Sequence, residues 1–218
     1  MAEPIGIIGG GAWGTAIAQH LASCGHDVLL WAHEKSTVKN INKKHKNPDF
    51  LPGVDLNPNI KATTELESLP QKCPTLFVVC PAKNSTEIAA NIAPHISAEH
   101  TVVLCSKGFR ESDGALLSDV WQETVPKLER LAVLSGPTFA IELAQDKPTA
   151  AVLASKKNVV VNDVNALFSR SVFRLYFSDD TVGAQVGGAM KNIIAVATGI
   201  SDGLGLGHNL RAGIISRG

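Results

Sequence analysis

The chain has 218 residues, 44% hydrophobic and 18% charged, and its 20 basic side chains balance 20 acidic ones. A neutral chain of ordinary globular composition offers no field for nucleic acid or for a membrane surface, so neither is expected as a partner. No uncharged apolar run reaches the ~18 residues of a membrane span, and the start lacks the basic and long apolar stretches of a secretion signal.

The order of elements begins with an apolar run at Pro4 to Ile8, followed at once by glycines. Ala12 to Ser23 reads as a helix with Ile17, Ala18 and Leu21 on one face, and Gly25 stands where a glycine stop belongs. Asp27 to Ala32 is a second strand and Lys35 to Lys46 a polar helix. Asn47 to Pro58, with three prolines and a glycine, is expected to be a loop. The alternation resumes with strands over Leu76–Cys80, Thr101–Ser106 and Leu131–Ser135 and helices over Ser85–Ala93, Ala115–Thr124 and Phe139–Gln145. Thr149–Ala154, Val159–Ser169 and Phe173–Phe177 complete it as strand, helix and strand. Apolar runs of this length between helices indicate strands covered on both faces, hence an α/β fold: a Rossmann-type, doubly wound, mostly parallel sheet over residues 1–180.

After Asp180 the texture changes. Val182 to Thr198 is apolar, rich in small residues and uncharged apart from Lys191. A close-packed, buried helix is expected there. Residues 181–218 are read as the first helix and incomplete start of an all-α domain. The four cysteines, Cys24, Cys73, Cys80 and Cys105, show no CxxC spacing. No metal site or disulfide framework is expected, Cys80 and Cys105 read as buried thiols, and a reducing cytoplasm is the expected location.

Gly9-Gly10-Gly11-Ala12-Trp13-Gly14 fits the pattern G-x-G-x-x-G, with a strand before it and a helix after it. That context makes it a dinucleotide-binding turn. Gly9 permits the tight turn, Gly11 lets the backbone approach a pyrophosphate, and Gly14 lets the helix pack closely. The helix start offers unpaired N–H groups and partial positive charge to the phosphates. An acid about 20 residues further on would select NAD, and a cation there would tolerate NADP. His33 and Glu34 stand there, which leaves NAD and NADP both open.

Lys107 follows the strand Thr101 to Cys105. It therefore sits at the carboxyl end of a parallel strand, where ligands bind in such sheets. Lys191 lies within Gly187 to Ala195, among apolar and small residues. Burial there would cost free energy and lower its pKa toward the range useful for proton transfer. Ser135-Gly136-Pro137-Thr138-Phe139-Ala140 again ends a strand and starts a helix, offering backbone donors and a hydroxyl beside the same sheet edge.

Four segments resemble the bacterial type of NAD(P)-dependent glycerol-3-phosphate dehydrogenase: Gly9 to Gly14 with Trp13, Ser106-Lys107-Gly108, Leu134 to Ala140, and the stretch from Gly188 through Lys191-Asn192, Ser201-Asp202-Gly203 and Gly207-His208-Asn209 to Arg211. The resemblance implies reversible reduction of dihydroxyacetone phosphate to sn-glycerol 3-phosphate, feeding glycerophospholipid synthesis. It implies Lys191 as the general acid and base. It implies Lys107, Gly136 and Thr138 as substrate-binding residues. It implies Gly9, Gly11, Ala12, Trp13, Gly14, His33, Lys107 and Ala140 as cofactor-binding residues, with no metal. A homodimer is compatible with it. Family members continue into a full helical domain, and their later Arg-Asn pair has no counterpart in these residues. Two alternatives stay open. A β-hydroxyacid or 6-phosphogluconate type dehydrogenase also carries a lysine on its first domain-two helix, but places an asparagine one turn later, where this chain has Ala195. A non-catalytic dinucleotide-binding module would have no use for a buried proton donor.

Overall fold

The structure, a computed structural model, describes residues 3–169 and 172–217. Met1, Ala2, Arg170, Ser171 and Gly218, which fall within the two expected regions, lie outside the described residues. In chain order the elements are β1 (Ile5–Ile8), α1 (Ala12–Ser23), β2 (Val28–Trp31), α2 (Lys35–Lys44), β3 (Ile60–Thr63), α3 (Ser68–Lys72), β4 (Thr75–Val78), α4 (Ser85–Ile92), β5 (Thr101–Leu104), α5 (Leu117–Thr124), β6 (Arg130–Ser135), α6 (Ala140–Ala144), β7 (Thr149–Ala154), α7 (Asn158–Leu167), β8 (Phe173–Ser178), α8 (Thr181–Gly203) and α9 (Gly207–Arg217).

Among the described residues eight strands form one sheet in the order β3-β2-β1-β4-β5-β6-β7-β8. Strands β1 to β6 pair in parallel. The expected doubly wound, mostly parallel sheet is therefore present. Its two faces explain why the strands read as unbroken apolar runs. Ile5 and Ile7 enter one core cluster and Ile8 the other; Phe77 enters the first, Leu76 and Val78 the second. Side chains alternate across a strand, so a strand buried on both faces must be apolar at every position.

Three features differ from the sequence reading. The strand β3 and the helix α3 lie in a stretch left unassigned. β3 is an edge strand in which Lys61 and Ile60 alternate between solvent and core, so it lacks the continuous apolar run that marks its neighbours. A charged edge also discourages pairing with another chain. α3 is five residues long and contains Pro70, too short for a helical period. The third difference is direction: β7 runs antiparallel to β6 and parallel to β8. The link from Ser135 to Thr149 holds only the short helix α6, and across it the chain reverses.

The expectation of a buried helix over Val182–Thr198 is corrected. On α8 the residues Gln185, Gly188 and Ser201 are buried, whereas Val182, Val186, Met190, Ile193, Val196 and Ile200 are exposed. These six recur at close to the helical period and form one stripe. The apolar pattern is real, but among the described residues no element packs over it. None of the described helices is long and apolar enough to cross a membrane. Cys80 and Cys105 are buried as expected; burial raises both thiols and pushes Cys73 up to about 12.

Candidate functional site

The glycine turn joins β1 to α1, and each glycine is held for a separate reason. Gly9 has φ +131°, a conformation L residues avoid, and its N–H donates to Trp31 O at 3.0 Å. A Cβ at Gly14 would lie 1.9 Å from the Gly9 carbonyl oxygen. A Cβ at Gly11 would meet nothing within 4 Å, so the backbone there faces open space. Gly10 was not singled out by the motif, yet a Cβ on it would come within 2.6 Å of the Ala32 Cβ. Gly11 is the N-cap of α1, with no side-chain capping bond and no acid in the first turn. The first N–H groups of α1 are thus available to an anion.

Trp13 is half-buried and stands edge-on to Phe173, ring centroids 6.3 Å apart. His33 follows β2, is exposed, and lies edge-on to Trp31 at 6.4 Å. Ala140 begins α6 and packs on the first core cluster. Gly9, His33, Lys107 and Ala140 follow β1, β2, β5 and β6, which are mutually parallel. All four therefore sit at one edge of the sheet, where open α/β sheets bind ligands.

The second part of the site is a cleft of about 300 Å³ lined by Ser135, Gly136, Val152, Gly188 and Lys191, among others. Lys107 Nζ donates to Gly136 O at 3.2 Å, joining the ends of β5 and β6. Burial pushes the Lys107 ammonium below the ordinary lysine value, and the neighbouring Lys191 charge lowers it further. The structure thus brings Lys107, Gly136 and Lys191 together. It does not bring Thr138 into the lining of the cleft; Thr138 is half-buried in the same link.

Gly188, read only as part of the family-like stretch, and Gln185, not recognised from sequence, seat α8 on β6 and α5. A Cβ at Gly188 would be 2.6 Å from Ser135 Oγ, so a larger residue would make the Ser135 hydroxyl turn away. Gln185 is buried: its Oε1 accepts from Ser118 N–H at 3.0 Å, and its Nε2 donates to Ser118 Oγ and Thr181 O, both at 2.9 Å. It thereby satisfies the first turn of α5. Lys191 stands six residues further along α8, where it is exposed. The expected burial of Lys191 is therefore corrected; it is Lys107 that loses water. Lys191 lines the cleft and is nonetheless exposed, because apolar neighbours in sequence do not bury a side chain when they face solvent.

Comparison with known proteins identifies the family and agrees with the fold. Residues 4–161 match the family model described as NAD-dependent glycerol-3-phosphate dehydrogenase N-terminus, and residues 180–218 match the corresponding C-terminus model. The glycerol-3-phosphate dehydrogenase [NAD(P)+] of Erythrobacter litoralis is 47% identical over 218 residues, covering 100% of this chain and 64% of that protein. The protein of the same name from Paramagnetospirillum magneticum is 46% identical over 216 residues, covering 99% of this chain and 78% of that one. The crystal structure of glycerol-3-phosphate dehydrogenase from Coxiella burnetii superimposes with a TM-score of 0.90 at 35% identity, covering 99% of this chain and 66% of that one. The chain thus spans about two thirds of the length of the first relative, and within that span it belongs to the NAD-dependent glycerol-3-phosphate dehydrogenase family.

Proposed function

We propose that this chain carries the cofactor-binding part and the first substrate-binding groups of an NAD(P)-dependent oxidoreductase that interconverts dihydroxyacetone phosphate and sn-glycerol 3-phosphate, feeding glycerophospholipid synthesis. The observation that carries this reading is the nearness of two ammonium groups: Lys191 lines the cleft, and Lys107, bonded to Gly136 O of the same lining, feels the charge of Lys191. Like charges held together repel, and a phosphate-bearing substrate relieves that repulsion.

The turn suits a dinucleotide, because the Gly11 backbone is open and the start of α1 is uncapped. Gly9, Gly11, Ala12, Trp13 and Gly14 hold the pyrophosphate, His33 borders the ribose, and Ala140 and Lys107 also touch the cofactor. A bound nicotinamide supplies or takes up the hydride. Lys107, Gly136 and Thr138 hold the substrate, the Lys107 ammonium acting on its phosphate or its carbonyl oxygen. As negative charge develops on the ketone oxygen, Lys191 Nζ gives it a proton, and takes that proton back in the reverse direction. We assign residues 1–180 to the cofactor region and 181–218 to the start of a helical substrate region. A reducing cytoplasm suits the four free cysteines, and a homodimer is compatible with the reading.

The test follows NADH consumption by this chain with dihydroxyacetone phosphate and with a panel of β-keto acids. Consumption with the phosphorylated ketone alone supports the reading; turnover of a keto acid instead favours a β-hydroxyacid dehydrogenase. Lys191→Ala should lower turnover at least ~10²-fold while NADH binding stays within about twofold. Near-normal turnover in that variant removes Lys191 from proton transfer.

A further inference from the structure

We propose that Asn47 is a positioning residue that aims the Gly11 N–H at the pyrophosphate of a bound dinucleotide. The inference rests on the dinucleotide reading of the glycine turn and adds to it a residue outside the motif.

Asn47 lies in the loop after α2, yet its relative exposure is 0%. Its Nδ2 donates to Gly10 O at 2.9 Å and to Thr15 Oγ1 at 2.8 Å, and Thr15 Oγ1 donates to Gly10 O at 3.3 Å. Gly10 O can only accept, so the amide orientation is fixed by its partner. Two donors from two different elements therefore converge on a single carbonyl of the turn.

The peptide between Gly10 and Gly11 is trans. In a trans peptide the carbonyl oxygen and the following N–H point in opposite directions. A Gly10 carbonyl drawn inward by Asn47 and Thr15 therefore turns the Gly11 N–H the opposite way, away from Asn47 and Thr15. Released, the same peptide could rotate and show its negative end to the phosphates. Glycine on both sides of the bond makes that rotation cheap, so the turn needs an external hold.

The loop is built to supply one. Leu51 N–H donates to Asn47 O and Leu56 N–H to His45 O, each at 2.8 Å. Leu51, Val54 and Leu56 are buried in the core cluster that contains α1. Asn57 grips α1, its N–H donating to Gln19 Oε1 at 2.7 Å and its Nδ2 to Ala22 O at 3.3 Å. The loop is thus pinned to α1 at both ends, and Asn47 approaches the turn from a fixed base.

The test compares the unaltered chain with Asn47→Leu, which keeps the shape and removes the donor, and with Thr15→Val. Binding of NADH, ADP and adenosine is titrated well below each protein's melting temperature, and the Gly11 amide is followed by ¹H–¹⁵N NMR. In Asn47→Leu the Kd for NADH and for ADP should rise by about tenfold, while adenosine, without phosphate, is unaffected; Thr15→Val should cost about threefold. In the unaltered chain the Gly11 amide proton should move downfield as NADH saturates. A folded Asn47→Leu that binds NADH and ADP normally overturns the proposal, as does a Gly11 amide that stays still under saturating NADH. If Asn47→Leu does not fold, Thr15→Val and the Gly11 amide decide. An unaltered chain that binds neither NADH nor ADP overturns the dinucleotide reading, and the role of Asn47 falls with it.

Discussion

The region from β1 to β2 and the region from α8 to α9 are written in similar residues, small and apolar with frequent glycine, yet their surroundings are opposite. Around the turn, Gly9, Gly10 and Gly14 are each held by a backbone conformation or by an atom within van der Waals contact. Along α8, Gly187, Gly199 and Gly203 face open space, and the apolar stripe from Val182 to Ile200 faces solvent. Only Gly183 and Gly188 on that helix are crowded. Composition shows what a segment is able to bury. What lies across from it decides what is buried.

The contrast breaks most readily at Gly14. Gly14→Ala drives a methyl group into the Gly9 carbonyl and should cost about 3 kcal/mol or more, with NADH binding lost; a melting temperature within a few degrees of the parent would show the turn to be looser than described. Gln185→Ala tests the stretch of α8 that is seated on α5. It strands the Ser118 N–H and should cost ~1–3 kcal/mol, read as faster hydrogen exchange in the first turns of α5 and α8; unchanged exchange there would mean that α8 is held by other contacts. Gly199→Ala is the counterpart of the first substitution. With nothing near its Cβ, it should stabilise α8 by ~0.5–1 kcal/mol, seen as slower local exchange, and any loss of helicity would contradict the open surroundings of that residue.

Much of the sheet and its helices was legible because their signals are local. Ala12–Ser23 and Thr149–Ala154 have the bounds read from sequence, since glycine, proline and the apolar period punctuate them. The edge strand β3 was missed because one exposed face leaves a short strand with little apolar pattern. The reversal at β7 was invisible because periodicity carries no direction. At the site, Lys107 and Gly136 were read as lying at the same sheet edge, and the pairing of β5 with β6 brings them side by side. Asn47 and Gln185 were not found. A polar residue in a loop or on a helix reads as solvated, and only the three-dimensional path shows that it meets an unpaired backbone group. Lys191 shows the converse: its neighbours in sequence are apolar, but burial is a property of neighbours in space.

The bond from Lys107 to Gly136 O has one more consequence. An ammonium that already rests on a protein carbonyl has given up part of its hydration shell during folding. An arriving anion then displaces one weak dipolar partner and not a full coat of water, so much of the dehydration is complete before the encounter begins. The same bond ties the two strand ends to a common frame, so that capture of a negative group at Lys107 is felt at once by the segment that carries Ser135 and Gly136.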